Sequence, residues 1–397
     1  MDLTQHTRIA AEAAAREPAI APDGDLLRGA MAPELLTPSY LFRPDKVIES
    51  HLRLRTALGT GLVVSLKANP NLDLFIRTGH AFVDGVEVAS IKELDVVVGR
   101  LKGPKFVNNP SLDAEFIRAA KAAKATFIVD NPAQWDLLDA NGALERDPQL
   151  VLRLNAEALL ARDGAAVRAR ADHFGMTPDT ALALARAAHA RGIRILGLHV
   201  FAGSHSFEKL GCALADAAWR FVQAFEADLG YELACLNLGG GFSPDSVDDA
   251  PAFERYRARL AQIPPRIRLL HESGRGVFGS CGAFVVRVVA TKVLGTRRVV
   301  VCDGGISHNF LQCRTESPLA RRQAPVLCSD DVATPGALPL CLVGASCSQA
   351  DVLAELPAGS PEPRPGDRYV FLGAGAYHAT YTPVNFLSAK ASRHYIL

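Results

Sequence analysis

Short apolar runs and longer amphipathic segments alternate through most of the chain after Pro38. The apolar runs predict eight strands, at 62–66, 81–88, 105–107, 126–129, 150–154, 193–201, 233–238 and 267–270. Segments with helical spacing lie between them, for example at 91–98, 114–123, 180–191 and 212–229. Strands that alternate with helices indicate a parallel sheet of the α/β class, and eight strands close a (β/α)8 TIM barrel. A doubly wound open sheet has the same local pattern and is the competing architecture.

The pattern changes near Ala283, where strand-like runs replace the alternation of strands and helices. These runs lie at 284–293, 298–302, 338–343 and 369–372, and Pro and Gly are dense from 357 to 366. They predict a C-terminal, mostly antiparallel β domain. We therefore expect three parts: an N-terminal segment at 1–44 that adds a strand at 40–42 to the β domain, an α/β barrel at 45–282, and the β domain at 283–397.

Composition and charge narrow the class of protein. The chain has 397 residues, of which 49% are hydrophobic and 21% charged, and this excludes a disordered protein. A net charge of +1 gives no indication of a nucleic-acid partner or an anionic membrane surface. The sequence shows no apolar run of bilayer length, no signal-peptide core in its first 50 residues and no C-x-x-C pair typical of zinc. These features favour a cytoplasmic enzyme that acts on a small molecule and contains no metal.

Chemically competent residues occur at the carboxyl ends of the predicted strands, where barrel enzymes hold their active sites. Lys67 follows the first strand, Glu87 ends the second, Arg153 lies within the fifth and Glu272 follows the eighth. Because these ends meet at one rim, the sequence predicts an active site there. The other polar and glycine residues at these positions are Asn109, His199, Ser204, Gly239, Gly240, Gly241, Gly274 and Arg275.

Each of these residues also has an ordinary structural interpretation. Lys67 at the end of an apolar strand is a suitable Schiff-base amine, but a solvated loop lysine has the same sequence context. The glycine run at 239–241 suits a phosphate or a tight turn. Glu272 and Arg275 could form a simple ion pair, and Cys347 could be a small buried hydrophobe. Their occurrence together in one chain favours the functional interpretation.

Seven spaced motifs occur in a fixed order along the chain, at 37–42, 65–69, 87–90, 238–242, 272–275, 303–305 and 375–377. Together they resemble the motifs of the fold-type III pyridoxal-phosphate decarboxylases, the group that contains diaminopimelate, ornithine and arginine decarboxylases. The resemblance runs from about Thr37 to Phe386. It implies pyridoxal 5′-phosphate as the cofactor and a homodimer with shared active sites.

The resemblance also implies roles for single residues. Lys67 would carry the cofactor, Glu272 would pair with its pyridinium nitrogen, and Cys347, supplied from the partner subunit, would donate the proton that replaces CO2. These three are the expected catalytic residues. The further cofactor contacts implied are Glu87, Arg153, His199, Phe201, Ser204, Gly240, Gly241, Gly274, Arg275 and Tyr377.

Three departures from the family pattern bear on the substrate. Phe201 stands where the family has a histidine that stacks on the cofactor ring, and His199 lies two residues earlier, so either of them could stack. Ser348 replaces the acid that follows the family's cysteine and binds a distal ammonium group. The arginine that diaminopimelate decarboxylases have just after Asp-Gly-Gly is missing from 306–312. The expected substrate-binding residues are Ser348, His308, Arg314 and Asp351, with Arg321, Arg322 and His205 as further candidates for binding carboxylates.

These departures favour a decarboxylase of a citrate-conjugated amino acid, of the citryl-diaminopropionate type, in carboxylate siderophore biosynthesis. Diaminopimelate decarboxylase and a carrier-protein-bound amino-acid decarboxylase are the alternatives. An amino-acid racemase would share the barrel and the lysine, but the Cys347 motif and Glu272 argue for decarboxylation. A non-catalytic regulator of a decarboxylase would have lost the chemistry, and intact Lys67, Glu272 and Cys347 argue against it.

Overall fold

The computed structural model describes residues 23–145, 147–313, 324–331 and 334–397. The chain divides into two compact units, one formed by Met1–Lys46 with Phe278–Leu397 and the other by Val47–Val277. The candidate residues Arg314, Arg321 and Arg322 lie outside the described residues. In the part of the chain that is described, no helix is both long and apolar enough to cross a membrane.

The described residues form strands and α-helices with the following bounds. The strands are β1 Ser39–Phe42, β2 Gly61–Ser65, β3 Val86–Val88, β4 Lys105–Val107, β5 Thr126–Val129, β6 Leu150–Leu154, β7 Gly197–Val200, β8 Cys235–Asn237, β9 Arg268–Ser273, β10 Gly282–Leu294, β11 Arg297–Cys302, β12 Val326–Cys328, β13 Leu340–Val343, β14 Val352–Leu356, β15 Arg368–Leu372 and β16 Arg393–Ile396. The helices are α1 Gly24–Met31, α2 Pro44–Leu58, α3 Leu72–Thr78, α4 Ile91–Val97, α5 Ala114–Ala122, α6 Pro132–Ala140, α7 Ala156–Arg162, α8 Pro178–Ala190, α9 Phe207–Leu229, α10 Ala250–Leu260 and α11 Arg275–Phe278.

Strands β2 to β9 form a closed parallel barrel in sequence order. Strand β2 pairs with β3 on one side and with β9 on the other, so the sheet has no free edge. One cluster of buried apolar side chains in this unit comes from five of the eight barrel strands: Val63, Phe106, Ile128, Val151 and Leu270. The barrel prediction is therefore confirmed, and the open doubly wound sheet is excluded.

Two predicted strands differ from the observed ones in a way that matters for the site. The strand expected at 81–88 is only Val86–Val88, because Gly79–Ala81 forms a 3-10 turn and Gly85 has a φ of +115° that an extended strand does not allow. The strand expected at 267–270 continues to Ser273. Glu272 consequently lies inside the last barrel strand and not after it.

The other unit contains a mixed sheet built around the long strand β10. Its strands follow the order β12–β15–β10–β11–β13–β14, and β1 joins β10 and β16 at the side. The β1–β16 and β11–β13 pairs are parallel, and the other pairs are antiparallel, so the mostly antiparallel sheet expected here has two parallel exceptions. The strand predicted at 40–42 belongs to β1 and pairs with β10 through residues 39–42. Leu41, Val285 and Val370 are buried together beneath α1 in this sheet.

Candidate active site

Lys67 and Glu87, the first two residues predicted at the rim, contact each other. Strand β2 ends at Ser65, and the 3-10 turn Leu66–Ala68 that follows it carries Lys67. The Lys67 Nζ atom donates to both carboxylate oxygens of Glu87, at 2.8 and 2.9 Å. The Glu87 side chain is fully buried, whereas 42% of the Lys67 side chain is exposed. The amine is therefore held at a fixed place in the barrel and stays accessible to a small molecule.

Glu272 lies next to His199 in the interior of the barrel. Its Oε1 atom accepts a hydrogen bond from Asn237 Nδ2 at 2.9 Å and lies 3.3 Å from His199 Nε2. Burial alone would raise the pKa of Glu272, but the neighbouring His199, Lys67 and Asn237 bring this pKa below its usual range. The group is therefore a buried carboxylate that stays ionised, which suits the binding of a cationic ring nitrogen.

Arg153 on β6 is also buried and is held from three sides. One of its terminal nitrogens lies 3.2 Å from Asn108 Oδ1 and 3.3 Å from Asp130 Oδ1. Its guanidinium group stacks over the ring of Phe174, 4.5 Å from the centroid. The same Asp130 oxygen accepts the N–H of Gly175 at 2.9 Å, so one carboxylate fixes both the arginine and the segment that covers it.

Sequence reasoning missed three residues that hold the predicted ones in place. Asn108 follows β4, Asp130 follows β5 and Asn237 ends β8. All three lie at the same ends of the barrel strands as Lys67 and Glu87. The rule that pointed to Lys67 would have found them if it had been applied to every strand end and not only to those with familiar catalytic residue types.

The glycine loop after β8 is packed so closely that it has no room for side chains. Gly239 and Gly241 have φ angles of +63° and +95°, which favour glycine. A Cβ atom on Gly240 would lie 2.0 Å from the carbonyl oxygen of Glu272, and one on Gly241 would lie 2.5 Å from Ser206 Oγ. The backbone therefore packs directly against the end of β9 and the turn before α9. The Gly239 N–H donates to Asn237 Oδ1 at 3.0 Å, and a turn of glycines of this kind is suited to a phosphate.

The remaining predicted cofactor contacts of this unit are near the same end of the barrel strands. His199 is fully buried in β7, and Phe201 follows the end of that strand and is half-buried. Gly203, Ser204 and His205 form the turn before α9, and the ring nitrogen Nδ1 of His205 lies 2.6 Å from Ser243 Oγ. Gly274 and Arg275 follow β9 and are buried.

The other unit holds the predicted residues Cys347 and Ser348 in the loop between β13 and β14. Cys347 is exposed, whereas Ser348 is half-buried and its hydroxyl accepts the N–H of Ala350 at 3.2 Å. Tyr377, expected to bind the cofactor, is half-buried and has a φ of +68°. The structure thus keeps the thiol predicted to donate a proton on the surface of its own unit.

Two residues expected to bind substrate have their hydrogen bonds within this unit. Asp351 is buried, and its two oxygens accept the N–H groups of Ile306 at 2.8 Å and Ser346 at 3.0 Å. His308 accepts the N–H of Gly305 at its Nδ1, and its Nε2 lies 2.9 Å from the Lys390 carbonyl oxygen. Both side chains are occupied by backbone groups.

The comparisons with known proteins agree with this fold. Residues 44–279 match the family described as pyridoxal-dependent decarboxylase, pyridoxal binding domain. A diaminopimelate decarboxylase from Deinococcus radiodurans is 29% identical over 351 residues, which cover 87% of this chain and 86% of that protein. An L-glutamyl-[BtrI acyl-carrier protein] decarboxylase from Niallia circulans is 24% identical over 381 residues, 88% of this chain and 86% of that protein.

Solved structures show the same fold. A lysine/ornithine decarboxylase from Vibrio vulnificus, complexed with putrescine, has a TM-score of 0.79 at 21% identity and covers 95% of this chain and 99% of its own. The chain belongs to the pyridoxal-dependent decarboxylase family and is a pyridoxal-phosphate-dependent amino-acid decarboxylase. The site fits this cofactor, because it combines an accessible lysine amine, a buried ionised carboxylate and a backbone cradle that has no room for a Cβ atom.

Proposed function

We propose that this chain decarboxylates the amino-acid end of a conjugated substrate whose distal part is anionic, with citryl-diaminopropionate in carboxylate siderophore biosynthesis as the model case. The observation that carries the proposal is Ser348, the neutral residue directly after Cys347. A cationic side chain removed from water needs an anionic partner, because an unpaired buried charge costs several kcal/mol. The carboxylate that follows in the same loop, Asp351, already accepts two backbone N–H groups.

The residues of the barrel take the following roles in this proposal. The Lys67 amine carries the cofactor, and Glu87 holds that amine in position through its two contacts. Glu272 binds the ring nitrogen and keeps it protonated. When bound, pyridoxal phosphate supplies the electron sink that decarboxylation needs. The barrel groups proposed to hold the phosphate are Ser204, Gly240, Gly241, Gly274 and Arg275, and Tyr377 is the proposed phosphate contact outside the barrel.

The proton that replaces CO2 comes from a thiol in this proposal. Cys347 is exposed in its own unit, so it can approach the barrel of a second copy of the chain. In a twofold-symmetric dimer each subunit would give one cysteine and receive one. Arg153, held by Asn108 and Asp130, would be one of the residues that hold the cofactor.

A carrier-protein-bound amino acid is the second candidate substrate. The glutamyl carrier-protein decarboxylase aligns over 381 residues, which is 88% of this chain. A carrier-bound glutamyl group, like a citryl conjugate, presents no distal ammonium. Ser348 is therefore compatible with both conjugates and disfavours ornithine, lysine and diaminopimelate.

The test is kcat/KM of the purified enzyme for free and conjugated substrates. The panel contains ornithine, lysine, meso-diaminopimelate, a carrier-bound glutamyl group and citryl-diaminopropionate. We expect measurable CO2 release from citryl-diaminopropionate and little from the free diamino acids. A preference of tenfold or more for a free diamino acid, about 1.4 kcal/mol in transition-state binding, would contradict the proposal. A clear preference for the carrier-bound group would select the second candidate.

A variant of Ser348 tests whether this residue faces the distal group of the substrate, by changing the enzyme and not the substrate. Ser348→Glu places a carboxylate where the distal group is proposed to bind, so we expect a lower kcat/KM for the citryl conjugate through charge repulsion. Ser360→Glu makes the same change in a turn of the same unit and is expected to leave kcat/KM unchanged. Equal effects of the two variants would show that position 348 does not face the substrate.

A further inference from the structure

Asp351 connects two loops of the β-sheet unit through one buried carboxylate. It lies directly before β14 and is only 3% exposed. Its Oδ1 atom accepts the N–H of Ile306, in the loop after β11, at 2.8 Å. Its Oδ2 atom accepts the N–H of Ser346, in the loop after β13, at 3.0 Å. Ser346 immediately precedes Cys347, so one end of this bridge is next to the exposed thiol.

Further contacts close the Cys347 loop, which we define as residues 344–351. The Gly344 N–H donates to the Asp351 carbonyl oxygen at 3.0 Å, and the Asp351 N–H donates to the Ser348 carbonyl oxygen at 3.1 Å. The thiol of Cys313 lies 3.7 Å from Asp351 Oδ1. The loop therefore depends on Asp351 through both its backbone and its side chain.

Two glycines leave the space that this carboxylate occupies. A Cβ atom on Gly305 or on Gly344 would lie 2.2 Å from Asp351 Oδ1. Neither glycine has a positive φ, so contact with the carboxylate, and not backbone conformation, is the reason why a side chain does not fit there. Gly305 and Gly344, from two separate loops, thus leave the space in which the Asp351 carboxylate lies.

We propose that Asp351 is a positioning residue that fixes the Cys347 loop and does not itself bind substrate. The inference rests on the proposed function in one respect, namely that Cys347 delivers the proton. A proton donor acts only within hydrogen-bond reach of the reacting atom, and a loop without regular structure reaches that precision only when its neighbours hold it. The expected substrate-binding role of Asp351 is replaced by this one.

The experiment compares Asp351→Asn with wild type in the full-length holoenzyme. An amide offers one acceptor and one NH2 group, so one of the two backbone N–H groups loses its partner and meets a donor. Asp331→Asn is the matched control, because it makes the same change at an exposed position of the same unit. The readouts are kcat and KM, the visible cofactor absorption, and the rate at which iodoacetamide alkylates Cys347 without substrate. Cys347 is the exposed one among the eight cysteines, all of which lie in described parts of the chain, and peptide mass spectrometry separates its alkylation from that of the partly exposed Cys212, Cys235 and Cys328.

We expect Asp351→Asn to lower kcat by about 10- to 100-fold, the usual cost of a displaced catalytic group, with KM and the cofactor absorption near wild type. Alkylation of Cys347 should become faster, because the loop that carries the thiol is released. The inference would be overturned if Asp351→Asn kept the kcat and the alkylation rate of wild type. The same holds if the variant lost only thermal stability while both of these rates stayed unchanged.

Two further measurements keep the inference testable and separate it from the proposed function. If Asp351→Asn does not fold, hydrogen exchange of the wild-type protein provides the test. The backbone amides of Ile306 and Ser346 should be protected from exchange, because both donate to Asp351. Rapid exchange of both amides would contradict the proposed role of Asp351. Full activity of Cys347→Ala would contradict the proton-donor role. Faster alkylation of Asp351→Asn would then still show that Asp351 fixes the loop.

Discussion

At the scale of single residues, the site is a set of charged groups whose partners decide what they can do. The Lys67 amine is exposed on one side and held by a buried carboxylate on the other. Glu272 and Arg153 are buried, and each is held by an amide or carboxylate side chain from a neighbouring strand end. These contacts fix the charged groups in position before a ligand binds, so binding requires little reorganisation of the site.

The first prediction concerns the amine of Lys67. Lys67→Ala should abolish the visible absorption of the bound cofactor and reduce turnover by orders of magnitude, because no other described amine contacts Glu87. The fold should persist, since the lysine side chain is half-exposed. Lys92→Ala, at an exposed position on α4, is the control and should remain coloured and active. A coloured, active Lys67→Ala protein would rule out the proposed site.

The second prediction concerns the carboxylate next to Arg153. Asp130→Asn leaves a buried guanidinium without its ion-pair partner, so we expect a loss of about 3–5 kcal/mol in the free energy of unfolding. Chemical denaturation of the wild type and the variant measures the difference. Asp139→Asn removes an exposed partner of Arg191 and should cause no comparable loss. Similar stability of Asp130→Asn and Asp139→Asn would mean that the buried pair contributes no more than a surface pair.

At the scale of elements, loops at both ends of the barrel contact the ends of neighbouring strands and hold them together. The glycine loop after β8 packs on the end of β9, at the side of the barrel where Lys67 lies. At the opposite side, Asp84 precedes β3 and binds the N–H of Leu62 on β2 and a guanidinium nitrogen of Arg268 on β9, at 3.0 and 3.3 Å. It also accepts from Arg55 on α2 at 2.6 Å.

The third prediction concerns the glycine loop. Gly240→Ala places a methyl group 2.0 Å from the Glu272 carbonyl oxygen, so the loop must move away from β9. We expect weaker binding of pyridoxal phosphate, measured by titrating the apoenzyme and following absorption. Gly336→Ala is a suitable control, since its Cβ atom would meet its nearest neighbour at 3.4 Å. Unchanged cofactor affinity in Gly240→Ala would argue against a phosphate at this loop.

The fourth prediction concerns Asp84 and pH. Burial alone would raise the pKa of Asp84, but Arg55, the Leu62 N–H and Arg268 bring it below its usual range. A carboxylate with a lowered pKa in the folded state adds stability above its unfolded pKa of about 3.9, and this stability is lost as the pH falls towards the folded value. Asp84→Asn should therefore lower the free energy of unfolding at pH 7 by about 1.5–3 kcal/mol.

The pH dependence is the distinguishing feature of this prediction. The difference between wild type and Asp84→Asn should shrink as the pH falls below about 4, since wild-type Asp84 then becomes neutral as well. Asp95→Asn, at an exposed position on α4, should show little difference at any pH. A difference for Asp84→Asn that stays constant from pH 7 to pH 3 would show that shape, and not charge, makes the contribution.

At the scale of the whole molecule, the proposed lysine and the proposed proton donor lie in different compact units of the chain. Lys67 belongs to Val47–Val277, whereas Cys347 belongs to the unit formed by both chain termini. Under the proposed function, the barrel of one subunit works with the cysteine of a second.

The fifth prediction tests this arrangement by complementation. Lys67→Ala and Cys347→Ala proteins, mixed and allowed to exchange subunits, should recover about a quarter of wild-type activity. Half of the randomly formed dimers are mixed, and each mixed dimer has one site that escapes both changes. Lack of recovery after subunit exchange has been verified would indicate that both residues of a site come from one chain.

The sequence by itself predicted the eight alternating strands and placed Lys67, Glu87 and Arg153 at or near their carboxyl ends, whereas the closed barrel was decided against an open sheet only by the structure. Alternation of apolar runs with helical segments is a local property, and the carboxyl ends of parallel strands must lie on the same side of a barrel. The sequence also identified the departure at Ser348, because that comparison needs only the order of residues.

Only the tertiary structure decided which side chains hold these residues. Asn237 and Glu272 are 35 positions apart, Asp130 and Arg153 are 23 apart, and Asp351 and Ile306 are 45 apart. No local pattern relates such pairs, because they meet only when the barrel closes or the mixed sheet forms. For the same reason Asp351, which looks like a substrate-binding acid in the sequence, proves to be occupied by two backbone N–H groups.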